Sequence, residues 1–164
     1  REKLTRPDIF TDEAFTVGGV KLSLDDVEHG ILRRYRIKWS LGYLPRFWPS
    51  RTIKKLAVSK IDYRIHFALN CGAKSCPPIA FYKYDALEEQ LELATSSFLT
   101  QDVTYDEAKK EVYVTKLMEW FRADFDGRGG IKDILKKYLG KDFADYTIKF
   151  KEYDWSSSLG NYAE

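Results

Sequence analysis

Both cysteines of this 164-residue chain, and one of its two histidines, lie in a single stretch, Arg64–Pro78. Cys71 and Cys76 flank a short polar loop that Gly72 lets bend and Pro77-Pro78 ends. A loop leaving a rigid element is a common mount for reactive groups. In a nucleophilic reading, Cys76 attacks an acyl carbon and His29 or His66 serves as base. Glu28 or Asp154 then orients the imidazole. The thiol needs that help because its unperturbed pKa lies above neutrality. Asn70, or a loop amide near Ser75, could face the oxyanion.

Other chemistry fits the same residues. A Cys71–Cys76 disulfide would close a very small loop and imply an oxidising, extracytoplasmic compartment. Zinc is a third reading, but Cys-x4-Cys with His29 and His66 is not a standard finger spacing. In a fourth, both sulfurs are inert packing residues. Disulfide and packing together outweigh catalysis. Between the two sulfurs, Cys76 is expected to be the accessible one, because Cys71 directly continues the preceding element. The expectation is no disulfide, no metal and no cofactor.

The elements that must position these residues can be read from periodicity. Tyr63, Ile65, Phe67 and Leu69 alternate with Arg64, His66, Ala68 and Asn70, which predicts a strand running into the loop. Phe15–Leu22 reads as a hairpin turned by Gly18-Gly19. Ser23 caps a helix with Asp26 closing a short capping box. On its wheel Leu24, Val27, Ile31 and Tyr35 face inward with Glu28 among them, and His29 falls on the polar flank. Glu28 is therefore expected to be buried and paired. A short helix is predicted near Arg51–Ala57. Another, capped by Asp85 with Glu88, carries Leu87, Leu91, Ala94 and Phe98. Val103–Val114 reads as a second hairpin. Thr115 caps a short helix, Asp126–Gly130 is a loop, and Ile131–Leu139 is an amphipathic helix ended by Gly140. Tyr146–Phe150 is a last strand, after which Asp154-Trp155 is expected to fold back on the Cys loop. Hairpins and helices mix without β-α alternation. The fold class is α+β, a largely antiparallel sheet with several packed helices, and residues 1–164 read as a single domain.

Composition narrows the classes. Hydrophobic residues make up 44% and charged residues 32%, which places the chain among globular and not disordered sequences. No apolar run approaches membrane-spanning length. The chain opens on Arg1 without an initiator Met, which reads as processed or trimmed, so no signal assigns a compartment. The net charge of +2 hides an asymmetry. Residues 33–60 hold nine of the 27 basic residues and none of the 25 acidic ones. Tyr35, Trp39, Tyr43, Phe47 and Trp48 are interleaved with them. That pattern could serve an anionic polymer, a sugar or a headgroup surface. The favoured expectation is blander: a basic connector folded on an acidic body, its aromatics anchored in the core.

Four stretches carry a resemblance. They are Leu22–Arg33, Arg64–Pro78, Leu117–Phe125 and Tyr153–Ser156. In that order and spacing the chain, from about Phe15 to Trp155, resembles the domain-of-unknown-function 547 family, above all its bacterial members. The resemblance implies no activity. It does imply two departures. The family's N-terminal segment, rich in aromatics and asparagine, is not apparent here, so a groove or incomplete sheet should be exposed. Plant-type members of that family tend to carry serine where Cys71 and Cys76 stand.

Two functional classes follow. The leading one is a thiol-dependent hydrolase or acyltransferase using Cys76 with a histidine. The second is a non-enzymatic binding module using segment 33–60. A small molecule or peptide is the expected partner, and nucleic acid is not.

Overall fold

Gly18 and Gly19 take positive φ values of 57° and 81°, and so reverse the chain between β1 (Ala14–Val17) and β2 (Val20–Ser23). The two strands pair antiparallel with Phe15 opposite Leu22. The structure, a computed structural model, describes residues 11, 14–37 and 40–162. These residues fall into two compact units, one within Thr5–Asp62 and one within Tyr63–Glu164.

In the first unit the predicted capping box is present. The Ser23 amide and hydroxyl both donate to Asp26 Oδ2, and the Asp26 amide donates to Ser23 Oγ at 3.1 Å. The helix that follows is a π-helix, Asp26–Leu32. Arg33 N donates to Glu28 O at 2.9 Å and Tyr35 N to Gly30 O at 2.8 Å, both across five residues. This wider turn overturns the face assignment made on a 3.6-residue wheel. His29 is the buried residue at 7% exposure, while the Glu28 side chain is 30% exposed. Leu24, expected inside, is exposed. Further on, Ser50 Oγ accepts from Ile53 N and caps α1 (Arg51–Leu56). Ile53 packs on Gly30, where an added Cβ would stand 3.2 Å from its side chain.

The second unit is built on a three-stranded sheet in the order β3 (Thr104–Asp106), β4 (Glu111–Val114), β5 (Thr147–Phe150). β3 and β4 form the expected antiparallel hairpin, Tyr105 opposite Val112. β5 runs parallel to β4, with Val112 opposite Ile148. The parallel pairing needs a crossover. It is supplied by α3 (Leu117–Trp120), a 3-10 turn (Arg122–Phe125) and α4 (Gly127–Leu139). Thr115 Oγ1 accepts from Leu117 N at the head of α3. Gly140 ends α4 at φ 68°. Leu99 of α2 (Leu87–Asp102), Val112, Val114, Ile131, Leu135 and Ile148 are among the residues of one buried cluster.

Three sequence expectations are corrected in this unit. The predicted strand at 63–70 is a 3-10 helix, Tyr63–Phe67. Ile65, His66 and Phe67 are all buried, so this piece has no solvent-facing alternate row to make a strand. Phe67 meets Phe98 and Phe125 at centroid distances of 5.3 and 5.8 Å. Arg64 instead reaches out to Glu88 and Glu92 on α2, at 2.6 and 3.4 Å. At the start of α2, no Asp85 box forms; Gln90 Oε1 accepts from Lys83 N and its amide donates to Phe81 O. The glycine-rich stretch after Asp126 is not a loop but the first turn of α4.

That first turn explains one glycine and leaves another free. A Cβ on Gly130 would overlap the Phe125 carbonyl oxygen and lie 2.7 Å from the Asp126 Cβ, whereas Gly129 has nothing within 4 Å. Gly130→Ala is expected to cost roughly 1–3 kcal/mol, as forced overpacking does. Gly129→Ala should gain up to about 1 kcal/mol from helix propensity. Urea titrations of the two variants check this, and equal effects would refute the close approach.

Candidate functional site

Asn70 shapes the Cys loop from both ends. Its side-chain oxygen accepts from Gly72 N at 2.6 Å, and its amide donates to Pro77 O at 2.5 Å. Gly72 takes φ 82°, and Cys76 N donates to Ala73 O at 3.0 Å. The loop so folded brings the Cα atoms of Cys71 and Cys76 to 6.3 Å, and the sulfurs are bonded. Cys76 is 5% exposed. The expectation of a free, accessible Cys76 is therefore corrected. The physical reason is the Asx turn, which returns the chain on itself where an extended exit had been assumed.

The C-terminal segment closes over this loop, as expected. Ser75 Oγ accepts from Asp154 N at 2.8 Å, Ser75 N donates to Asp154 O at 3.3 Å, and Lys74 N donates to Ser156 O at 2.8 Å. The Asp154 carboxylate accepts from the Ser156 amide and hydroxyl, which hold its pKa below the ordinary value, with Lys74 adding to the effect. The Tyr153 hydroxyl stands 3.1 Å from Cys76 Sγ and 3.6 Å from Cys71 Sγ. Its ring joins Trp120 and Trp155 at 4.8 and 4.6 Å. Asn70, Ser75 and Asp154 thus all take part in the hydrogen bonds of the clasp. Tyr153 was missed as a site residue, since an aromatic beside a strand end reads as packing.

His66 Nε2 lies 2.9 Å from Asp124 Oδ2, and both side chains are buried. The ring stacks on Phe121 at 4.2 Å. His29 belongs to the first unit. Arg33 NH1 donates to its Nδ1 at 2.7 Å; because arginine can only donate, this nitrogen is the acceptor. His29 Nε2 lies 3.8 Å from Glu28 Oε1 and 3.9 Å from Asp25 Oδ1. Among the described residues no group of three or more His, Cys, Asp or Glu side chains is placed to hold a metal.

An open groove of about 880 Å3 runs beside the Cys loop, bounded by Pro78, Phe81, Leu93, Phe98, Asp102 and Tyr162. Phe81 and Leu93 stand 81% and 65% exposed along it. Cys76, Phe98 and Asp102 also line a neighbouring pocket of about 380 Å3 with Lys116 and Lys151. The expected inward stripe of α2 holds at Leu91 and at Phe98, which packs against the core, but not at Leu87, which is exposed. Leu91, Thr95 and Leu99 are the buried residues, and Ala94 and Phe98 line the groove.

A second candidate surface lies in the first unit. Arg33 is buried against His29, Arg36 donates to Gly42 O, and Arg46 pairs with Asp25 at 3.0 Å. Arg34, Arg51, Lys54, Lys55 and Lys60 are exposed. On α1, Arg51, Lys54 and Lys55 share one face, opposite the buried Ile53. Just before it, Trp48 is 92% and Phe47 77% exposed, with ring centroids 6.1 Å apart. This corrects the expectation that these aromatics are anchored in a core. Lys38 and Trp39 lie outside the described residues.

A family model described as protein of unknown function, DUF547, matches residues 1–99. The chain belongs to that family. The match covers the π-helix, α1 and the Cys loop, which carry two of the four stretches on which the resemblance rests. No curated protein and no solved structure matches the chain. No helix among the described residues is long and apolar enough to cross a membrane.

Two predictions follow from the Cys loop and its groove. Closing so small a loop is worth about 2 kcal/mol by chain entropy. Neither sulfur should alkylate with iodoacetamide until reductant is added, and reduction should lower Tm. Alkylation of the untreated protein would refute the bond. The second concerns Asp102. Burial pushes its carboxyl pKa up, and Lys151 and the Thr115 amide only partly offset this. An acid whose folded pKa is raised binds more protons folded than unfolded, so stability falls as pH rises from the unfolded value through the folded one. The Tm of Asp102→Asn relative to wild type should therefore become more positive from pH 3 to pH 7. A flat or reversed difference would contradict the burial effect.

Proposed function

We propose that this chain is a non-enzymatic binding module that engages an anionic partner through segment 33–60. The observation that carries the reading is the pairing of exposed Phe47 and Trp48 with the Arg51, Lys54 and Lys55 face of α1. Ile53 anchors the helix from its other side, so the basic face is presented by a fixed element. Segment 33–60 holds no acidic residue to neutralise it. Arg33, Arg36 and Arg46 do structural work within the unit, which leaves the outer cations for a partner.

The thiol-dependent hydrolase or acyltransferase reading has less support. It needs a thiolate, and both sulfurs are in a disulfide next to the Tyr153 hydroxyl. The imidazole of His66, one of its two proposed bases, is buried beside Asp124.

Heparin, a soluble polyanion, tests the reading. The wild-type chain should bind it with an affinity that falls as salt is raised. Reversing Arg51, Lys54 and Lys55 to Glu together should weaken binding by about tenfold or more, with Tm unchanged because the three are exposed. Absence of binding by the wild type to any anionic probe, or equal binding by the triple variant, would refute it.

A further inference from the structure

We infer that the anionic partner is the surface of an acidic lipid bilayer, with Phe47 and Trp48 inserted at the headgroup boundary; this rests on the binding-module reading above. Three features point to a bilayer over a soluble polyanion. The first is the kind of apolar surface. Phe47 and Trp48 are neighbours in a segment flanked by Pro45 and Pro49, and Tyr43 and Leu44 beside them are 53% and 54% exposed. A large aromatic buries roughly 150–250 Å2 when covered. Water is a poor environment for such a cluster, and the boundary between headgroups and acyl chains is a good one.

The second feature is geometry. The Phe47 and Trp48 rings are tilted at 46° to each other, 6.1 Å apart. A wedge of two unlike planes suits a fluid interface that needs no register. Tryptophan adds an indole N–H that can stay hydrated while its ring is buried.

The third feature is charge. Arg51, Lys54 and Lys55 follow the aromatic pair within two helical turns, and their long stems let the cations reach headgroups while the aromatics enter. Basic residues beside an apolar wedge are the arrangement that adds attraction to acidic lipids to the burial of apolar surface. Neither contribution is large alone, so the interaction should be reversible and need both.

Vesicles of phosphatidylcholine alone, and of phosphatidylcholine with about one third phosphatidylserine, test this by co-sedimentation. The wild-type chain should partition onto the acidic vesicles at least about tenfold better than onto the neutral ones. The Phe47→Ala/Trp48→Ala double variant should lose about tenfold or more of that partition. Both residues are exposed, so circular dichroism and Tm should match the wild type. Bromine-labelled lipid should quench wild-type fluorescence more than that of Trp48→Phe. Heparin binding without vesicle binding, or a double variant that partitions like the wild type, overturns the bilayer assignment and leaves the anionic-partner reading standing. Failure to bind either probe overturns both.

Discussion

The pairing of His66 with Asp124 is the contact on which the larger unit turns. The two residues are 58 positions apart, and their side chains are almost wholly removed from solvent. A carboxyl in that environment must find a donor or give up its charge. By meeting His66 Nε2, Asp124 ties the 3-10 helix Tyr63–Phe67 to the 3-10 turn Arg122–Phe125. Phe67 and Phe125, one residue beyond each partner, then meet in the core. Removing one partner of such a buried pair typically costs about 3–5 kcal/mol, because the other is left stranded. The contact thus fixes where the Cys loop leaves the core, four residues after Phe67.

This contact also explains why the element before the loop was misread. Alternation of Tyr63, Ile65 and Phe67 satisfies a strand pattern over so few residues, and a short apolar run does not separate strand from other buried structure. What decides it is tertiary: Asp124 draws His66 inward beside its neighbours Ile65 and Phe67. The π-helix failed for a related reason. Its boundaries were legible through the Ser23–Asp26 box, but the wheel assumed bonds across four residues, not five. Both hairpins, the short helix α1, α4 with its Gly140 stop and the last strand were legible because each is signalled locally. A capping hydroxyl, a paired glycine or a clean apolar period decides each of them without help from the rest of the chain. The α+β class follows from those elements.

The site was legible in part. The return of Asp154-Trp155 to the Cys loop was readable from the polar, aromatic character of the closing residues. Its role was not, because a list of Cys, His and acid residues does not say which of them meet. Asn70, or a loop amide near Ser75, reads from the sequence as an oxyanion donor; in the structure the Asn70 and Ser75 side chains hydrogen-bond the loop and its cover. The sulfurs followed the same logic. An Asx turn at Asn70 is a local device, but its consequence, two sulfurs brought together, depends on the path of the next six residues.

Segment 33–60 divides its charges between two tasks, and composition alone cannot show the division. Arg33, Arg36 and Arg46 meet a histidine ring, a backbone carbonyl and a carboxylate inside their own unit. They account for part of the basic excess without any partner, as a structural connector would. Of the remainder, Arg51, Lys54 and Lys55 sit on a helix whose single buried residue, Ile53, turns it so that they face out. A connector needing only solubility could have used acids there and neutralised the segment. It would also have no use for an indole left 92% exposed, when leaving apolar surface in water forfeits roughly 25 cal/mol per Å2. An uncompensated cationic face and an uncovered aromatic pair occur within one short stretch. A single acidic, partly apolar surface would satisfy both.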